Sequence, residues 1–184
     1  FLFARASSTV ATLGTEYVAL QAETFARLVQ GQIAETRGPE GADPLPHYLN
    51  VVADKTGSLI AASAMFGGMV CGAPREVAAA LAAFGEEIGV VFQLSDDIID
   101  IASDSSGKTP GTDLREGVAT LPTLMLRAST NESDARLRDL VSRPLDDDAE
   151  VAEALAGLRA HVVLDEARAE VTRRADVARA HLAP

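Results

Sequence analysis

Residues 92–100 read FQLSDDIID and place Gln93, Asp96, Asp97 and Asp100 inside a run that is otherwise almost entirely apolar. These acids constrain the fold, because an ionised carboxylate leaves water at a cost of several kcal/mol unless it is paired, hydrogen-bonded or bound to metal. In a strand Asp96 and Asp97 would point to opposite faces and the set would scatter. In a helix, at about 100° per residue, Gln93, Asp96, Asp97, Asp100 and Asp104 share an arc of roughly 100°, with Phe84, Ile88, Val91, Ser95 and Ile99 on the opposite side. The segment is therefore expected to be a helix with an acidic stripe on an apolar cylinder. Three acids in one stripe call for a shared counter-charge. An oxygen-only donor set suits Mg²⁺, which is usually held through one or two carboxylates, waters and the phosphates of a substrate.

The rest of the chain has the same period. Ala and Leu recur at helical spacing and β-branched alternation is scarce, so the fold is expected to be all-α, with one domain over residues 1–184. Helices are predicted near residues 2–12, 15–36, 45–55, 57–71, 75–103, 119–129, 133–142, 147–159 and 162–181. Gly14-Thr15, the GPEGADPLP loop at 38–46 and Gly72 before Pro74 supply the breaks. The stretch SDSSGKTPGTDLREG, residues 103–117, follows the acidic helix and is read as one long irregular loop. Asp146, Asp147 and Asp148 after Pro144 are read as first-turn caps of a helix.

A net charge of -11 disfavours nucleic acid, which needs clustered Lys and Arg, but leaves room for a small anion held through metal. The single cysteine, Cys71, rules out an internal disulfide framework or a CxxC zinc site and is taken as core filling. No uninterrupted apolar run reaches the roughly eighteen residues that span a bilayer. A cytoplasmic protein is therefore expected. The opening FLFARASSTVATL lies already inside a helical pattern without an initiator Met, which reads as part of a longer protein.

Of sixteen basic residues only two are lysines, Lys55 in ADKTGSL and Lys108 in SGKTPGTD, each beside Thr and near Gly. A compact ammonium in a chain that otherwise uses Arg suits contact with phosphate oxygens. The GKT at 107–109 is not a nucleotide P-loop, since Ala102 stands where the first Gly belongs and the setting is helical. Nor does the segment after Asp100 keep the register of a calcium-binding EF-hand loop. His47, His161 and His181 lack a Ser or Cys partner in any nucleophile motif.

Taken together, FQLSDDIID and GKTPGTDLREGVATLP resemble the second aspartate-rich region of the trans-prenyltransferases, the head-to-tail isoprenyl diphosphate synthases. DKTGSLIAAS resembles that family's Lys-Thr segment, GQIAE at 31–35 its Gly-Gln helix, and FLFARAS the helix after its first aspartate-rich motif. The resemblance is good over roughly residues 1–125. It implies an antiparallel or orthogonal helical bundle of the isoprenoid synthase type, incomplete at its N-terminus. It also implies that Asp96, Asp97, Asp100 and Asp113 serve Mg²⁺, and that Lys55, Thr56, Gln93 and Lys108 hold an allylic diphosphate. Lys55, Lys108 and Asp96 would then be catalytic, and the chemistry would join the allylic diphosphate to isopentenyl diphosphate with release of pyrophosphate. Dimerisation, as a homodimer or with a different subunit, is implied as well.

Two departures from the family pattern stand out. Val118 occupies a position where many members carry a further Lys, with Arg115 nearby as a substitute, and the first aspartate-rich motif is absent from these residues. The polypeptide by itself is therefore expected to be inactive. Two other classes fit less of the pattern: a non-catalytic partner subunit of such a synthase, and a class I terpene cyclase.

Overall fold

The computed structural model describes residues 1–102 and 109–183, and among them there is no strand. The described residues form ten α-helices, in chain order α1 Leu2–Ala11, α2 Thr15–Arg37, α3 Pro44–Val52, α4 Ser58–Val70, α5 Arg75–Ala102, α6 Thr112–Glu116, α7 Leu121–Arg127, α8 Ala135–Leu140, α9 Asp148–Ala160 and α10 Val162–Ala180. The all-α expectation holds. The chain divides into two compact units, one of Phe1–Gly41, Leu49–Val90 and Ala175–Pro184, the other of Ala42–Tyr48 and Val91–Arg174.

The first unit packs backbone against backbone. The break expected at residue 56 is absent: α3 runs through a π-helical turn, Ala53–Gly57, straight into α4. That turn is pressed from two sides by glycines. A Cβ on Gly31 of α2 would lie 2.8 Å from the Asp54 Cβ, and one on Gly89 of α5 would lie 2.8 Å from the Gly57 Cα. One turn earlier in α5, a Cβ on Gly85 would sit 2.8 Å from the Ala61 Cα and 2.9 Å from the Ile60 carbonyl oxygen. Buried apolar side chains here are mostly small, such as Ala61, Ala62 and Ala78, with Tyr17 stacked on Phe66 at 5.8 Å. Cys71 is exposed, not core: it is the C-cap of α4, where Gly72 at φ 69° turns the chain outward.

The second unit has a conventional leucine core. Leu94, Leu121, Leu126, Leu140, Leu145 and Leu158 are fully buried. The stretch expected to be one loop contains α6, bracketed by Gly111 at φ 77° and Gly117 at φ 70°, left-handed positions that glycine adopts without strain. Thr120 and Thr123 form a reciprocal capping box that starts α7, so Thr120 lies before the helix and not within it. Asp147 caps α9 by accepting from the Ala149 N–H at 2.8 Å, as its place after Pro144 implied.

By length and composition α5 is apolar enough to cross a membrane, a property the uninterrupted-run criterion missed. Two of its acids are nonetheless engaged within the fold. Glu86 accepts two hydrogen bonds from Arg27, each 2.9 Å, and Asp97 is hydrogen-bonded in the interior. A charged residue at a bilayer centre costs about 3 kcal/mol on insertion scales, which favours α5 as a bundle helix.

Replacing a helical glycine by alanine normally stabilises a helix by about 1 kcal/mol. At Gly85 the sign should reverse, because the new methyl meets backbone atoms that cannot rotate away. Gly85→Ala is expected to destabilise the fold by about 1–3 kcal/mol, read as a lower midpoint in denaturant; a raised midpoint would contradict the close packing.

Candidate active site

The expected site residues fall into both units. In the second unit, α5 carries Gln93, Asp96, Asp97 and Asp100. The packed face of this part of the helix runs through Leu94, Asp97, Ile98 and Ile101, a quarter-turn from the centre of the acidic stripe. Asp97 thus lies at the edge of the stripe that faces the core and is 4% exposed, while Asp96, Asp100 and Gln93 are half-buried. The arc opposite the stripe is not fully buried: Phe84, Ile88, Val91 and Ser95 are half-buried and Ile99 is exposed.

Among the described residues no basic side chain supplies Asp97 with a counter-ion. Its Oδ2 accepts the Tyr48 hydroxyl and the Leu121 N–H, the latter at 3.2 Å, and its Oδ1 accepts a long 3.4 Å contact from Gln93 Nε2. Burial pushes its carboxyl above the usual range, and the Tyr48, Leu121 and Gln93 donors oppose that shift. Burial, followed by the Asp97 charge, pushes the Tyr48 phenol up as well.

Asp113, in the first turn of α6, joins the same cluster. Its N–H donates to Asp100 Oδ2 at 3.4 Å, and the Gly111 N–H donates to the Asp100 carbonyl at 3.2 Å, so Asp100 fixes the chain that presents Asp113. The Asp113 carboxyl is pushed up to about 6, first by burial and then by the charges of Asp100, Asp97 and Asp96. Excess negative charge collects where the sequence placed a cation. Among the described residues no three such side chains gather closely enough to hold a metal unaided. A carboxylate-only donor set of this kind fits a hard cation that completes its shell with water and phosphate oxygens.

In the first unit, Lys55 and Thr56 sit in the π-helical turn. Lys55 Nζ pairs with Glu35 Oε2 of α2 at 2.5 Å. Its neighbour Asp54 accepts from Arg27 at 3.1 Å, and Arg27 also clamps Glu86 on α5. The Arg27 hydrogen bonds hold the Glu86 carboxyl below its usual range. Lys108 and Asp104 lie outside the described residues. Arg115 is paired with Asp148 at 2.7 Å on the surface, and Val118 is exposed.

Sequence reasoning missed Tyr48, the Leu121 amide and the Arg27–Asp54–Glu86 network. Tyr48 meets an acid 49 positions away, and nothing local marks it apart from its place seven residues before Lys55. The one available signal for the network was Gly31-Gln32 itself, since a mid-helix glycine implies close backbone approach.

Comparison with known proteins identifies this architecture. Residues 1–158 match the family model Polyprenyl synthetase, and the chain belongs to that family. Over its full length it is 50% identical to a nonaprenyl diphosphate synthase of Mycobacterium tuberculosis, covering 56% of that protein. It is 33% identical over 86% of its length to component 2 of a heptaprenyl diphosphate synthase of Geobacillus stearothermophilus, covering 50% of it. A crystal structure of geranylgeranyl pyrophosphate synthase from Corynebacterium glutamicum, complexed with calcium and isoprenyl diphosphate, superposes with a TM-score of 0.89 at 47% identity, covering 98% of this chain and 57% of that one. The chain spans about half the length of the curated relatives it matches.

A carboxyl whose pKa is higher in the folded than in the unfolded state stabilises the fold while protonated, and that contribution is lost as pH rises through the folded value. The metal-free protein should therefore lose stability from Asp113 between about pH 4 and pH 6. Asp113→Asn is expected to remove that loss. Its stability relative to the parent should rise across this window and level off above it, as followed by thermal unfolding without divalent cations; a pH-independent difference would refute the assignment.

Proposed function

We propose that the protein carrying this chain is a Mg²⁺-dependent prenyltransferase that extends an allylic diphosphate with isopentenyl diphosphate. The observation that carries this is the convergence of Asp113 with the α5 acids, in a family whose relatives are named as prenyl diphosphate synthases. Asp96, Asp100 and Asp113 would hold the cation. When bound, the cation would neutralise charge building on the departing pyrophosphate.

The chain's own residues do the rest. Lys55, Thr56, Gln93 and Lys108 hold the allylic diphosphate. Lys55 and Lys108 stabilise the leaving group more in the transition state than in the ground state. Glu35 holds the Lys55 ammonium before substrate arrives, so a diphosphate has to displace that pair or share the lysine with it. An apolar, water-excluding bundle core around the reacting carbon would let isopentenyl diphosphate and not water capture the allylic cation.

The relative named as one component of a heptaprenyl synthase favours a second reading, in which this protein works with a different subunit in the cytoplasm. Incubating the full-length protein with Mg²⁺, isopentenyl diphosphate and an allylic diphosphate should give a longer diphosphate. Asp96→Asn and Lys55→Ala should each lower kcat at least about a hundredfold, the scale of one lost transition-state contact. Release of a hydrocarbon or alcohol would instead indicate cyclisation. Activity appearing only with a second synthase would indicate the partner-subunit role.

A further inference from the structure

Tyr48 lies outside the machinery assigned above, yet its hydroxyl meets the one acid of the stripe, among the described residues, that faces the core. Asp97 is 4% exposed, and its Oδ2 accepts from two segments far apart in sequence, the α3 side chain of Tyr48 and the Leu121 N–H that begins α7. Asp96 and Asp100, one residue before and three after, are half-buried beside it. A carboxylate turned inward onto two donors is poorly placed to reach a cation and well placed to stop the helix from rotating. Carboxylates on α5 ride about 5 Å from its axis, so a rotation of about 20° would carry Asp96 and Asp100 through about 2 Å. Misplacement of about 1 Å can cost a hundredfold in rate.

We infer that Tyr48 is a positioning residue: by holding Asp97 inward it fixes the rotational setting of α5 and so aims Asp96 and Asp100 at the metal and diphosphate, with Asp97 as anchor and not ligand. This rests on the assignment of Asp96 and Asp100 to the cation under the proposed function.

Tyr48→Phe in the full-length protein deletes one O–H and keeps the ring. Bound Mn²⁺ is measured by electron paramagnetic resonance in the presence of inorganic pyrophosphate, alongside the Mg²⁺ dependence of turnover. Tyr48→Phe is expected to weaken Mn²⁺ binding about tenfold, the scale of one lost hydrogen bond to a charged group, and to raise the half-activating Mg²⁺ concentration to match. KM for isopentenyl diphosphate should stay within about twofold, a split that general destabilisation would not give. Asp97→Asn, which keeps an oxygen for both donors, should bind Mn²⁺ more nearly like the parent than Asp96→Asn does. Unchanged Mn²⁺ binding in Tyr48→Phe, with binding lost in Asp96→Asn, would overturn the positioning role alone. Equal losses in Asp97→Asn and Asp96→Asn would make Asp97 a ligand and overturn it too. Intact binding in both Asp96→Asn and Tyr48→Phe would overturn the assignment of the stripe and this inference with it.

Discussion

A buried carboxylate that takes no basic partner among the described residues is the constraint around which the second unit is organised. Asp97 sits among Leu94, Ile98 and Ile101, where an unsatisfied charge would be strongly destabilising. Satisfying it requires donors from elsewhere. Tyr48 brings in α3, and Leu121 brings in the start of α7, whose own first turn is held by the Thr120–Thr123 box. Three segments distant in sequence are thus joined at one side chain. The half-buried acids on either side, Asp96 and Asp100, take their direction from that junction.

Asp113 shows the opposite electrostatic arrangement. Burial raises both carboxyls; at Asp97 the surrounding donors oppose that rise, whereas at Asp113 the charges of Asp100, Asp97 and Asp96 add to it. One acid is held by donors and the other lies in repulsion from its described acidic neighbours, which added positive charge relieves. Under the proposed function a cation and a polyanion would bind there together, because each makes the other easier to bind.

The acidic helix was legible in the sequence because helical period alone gathers Gln93, Asp96, Asp97 and Asp100. The role of Asp97 was not, since its partners, Tyr48 and the Leu121 amide, are set by tertiary packing. The arc of Phe84, Ile88, Val91, Ser95 and Ile99 was read as lying opposite the acids, yet helical period cannot tell packed from exposed apolar residues: the first four are half-buried and Ile99 is exposed. The five-residue α6 was hidden by the glycines at 111 and 117, which mark both loops and helix ends. The π-helical turn was invisible because it follows from Gly31 and Gly89 on other helices, and Lys55 and Thr56 carry no local mark of it. Cys71 was taken for core on residue type alone, which fails at a helix end.

The glycine seam around the π-helical turn has a consequence for heat and for sequence drift. Contacts made by side chains loosen as rotamers are sampled, and neighbours can absorb a changed volume by shifting. Contacts made by main chain against main chain have no rotamers to sample. A lysine mounted on such a turn keeps its root fixed while the surrounding core softens or is rewritten, so its wandering is confined to its own four methylenes.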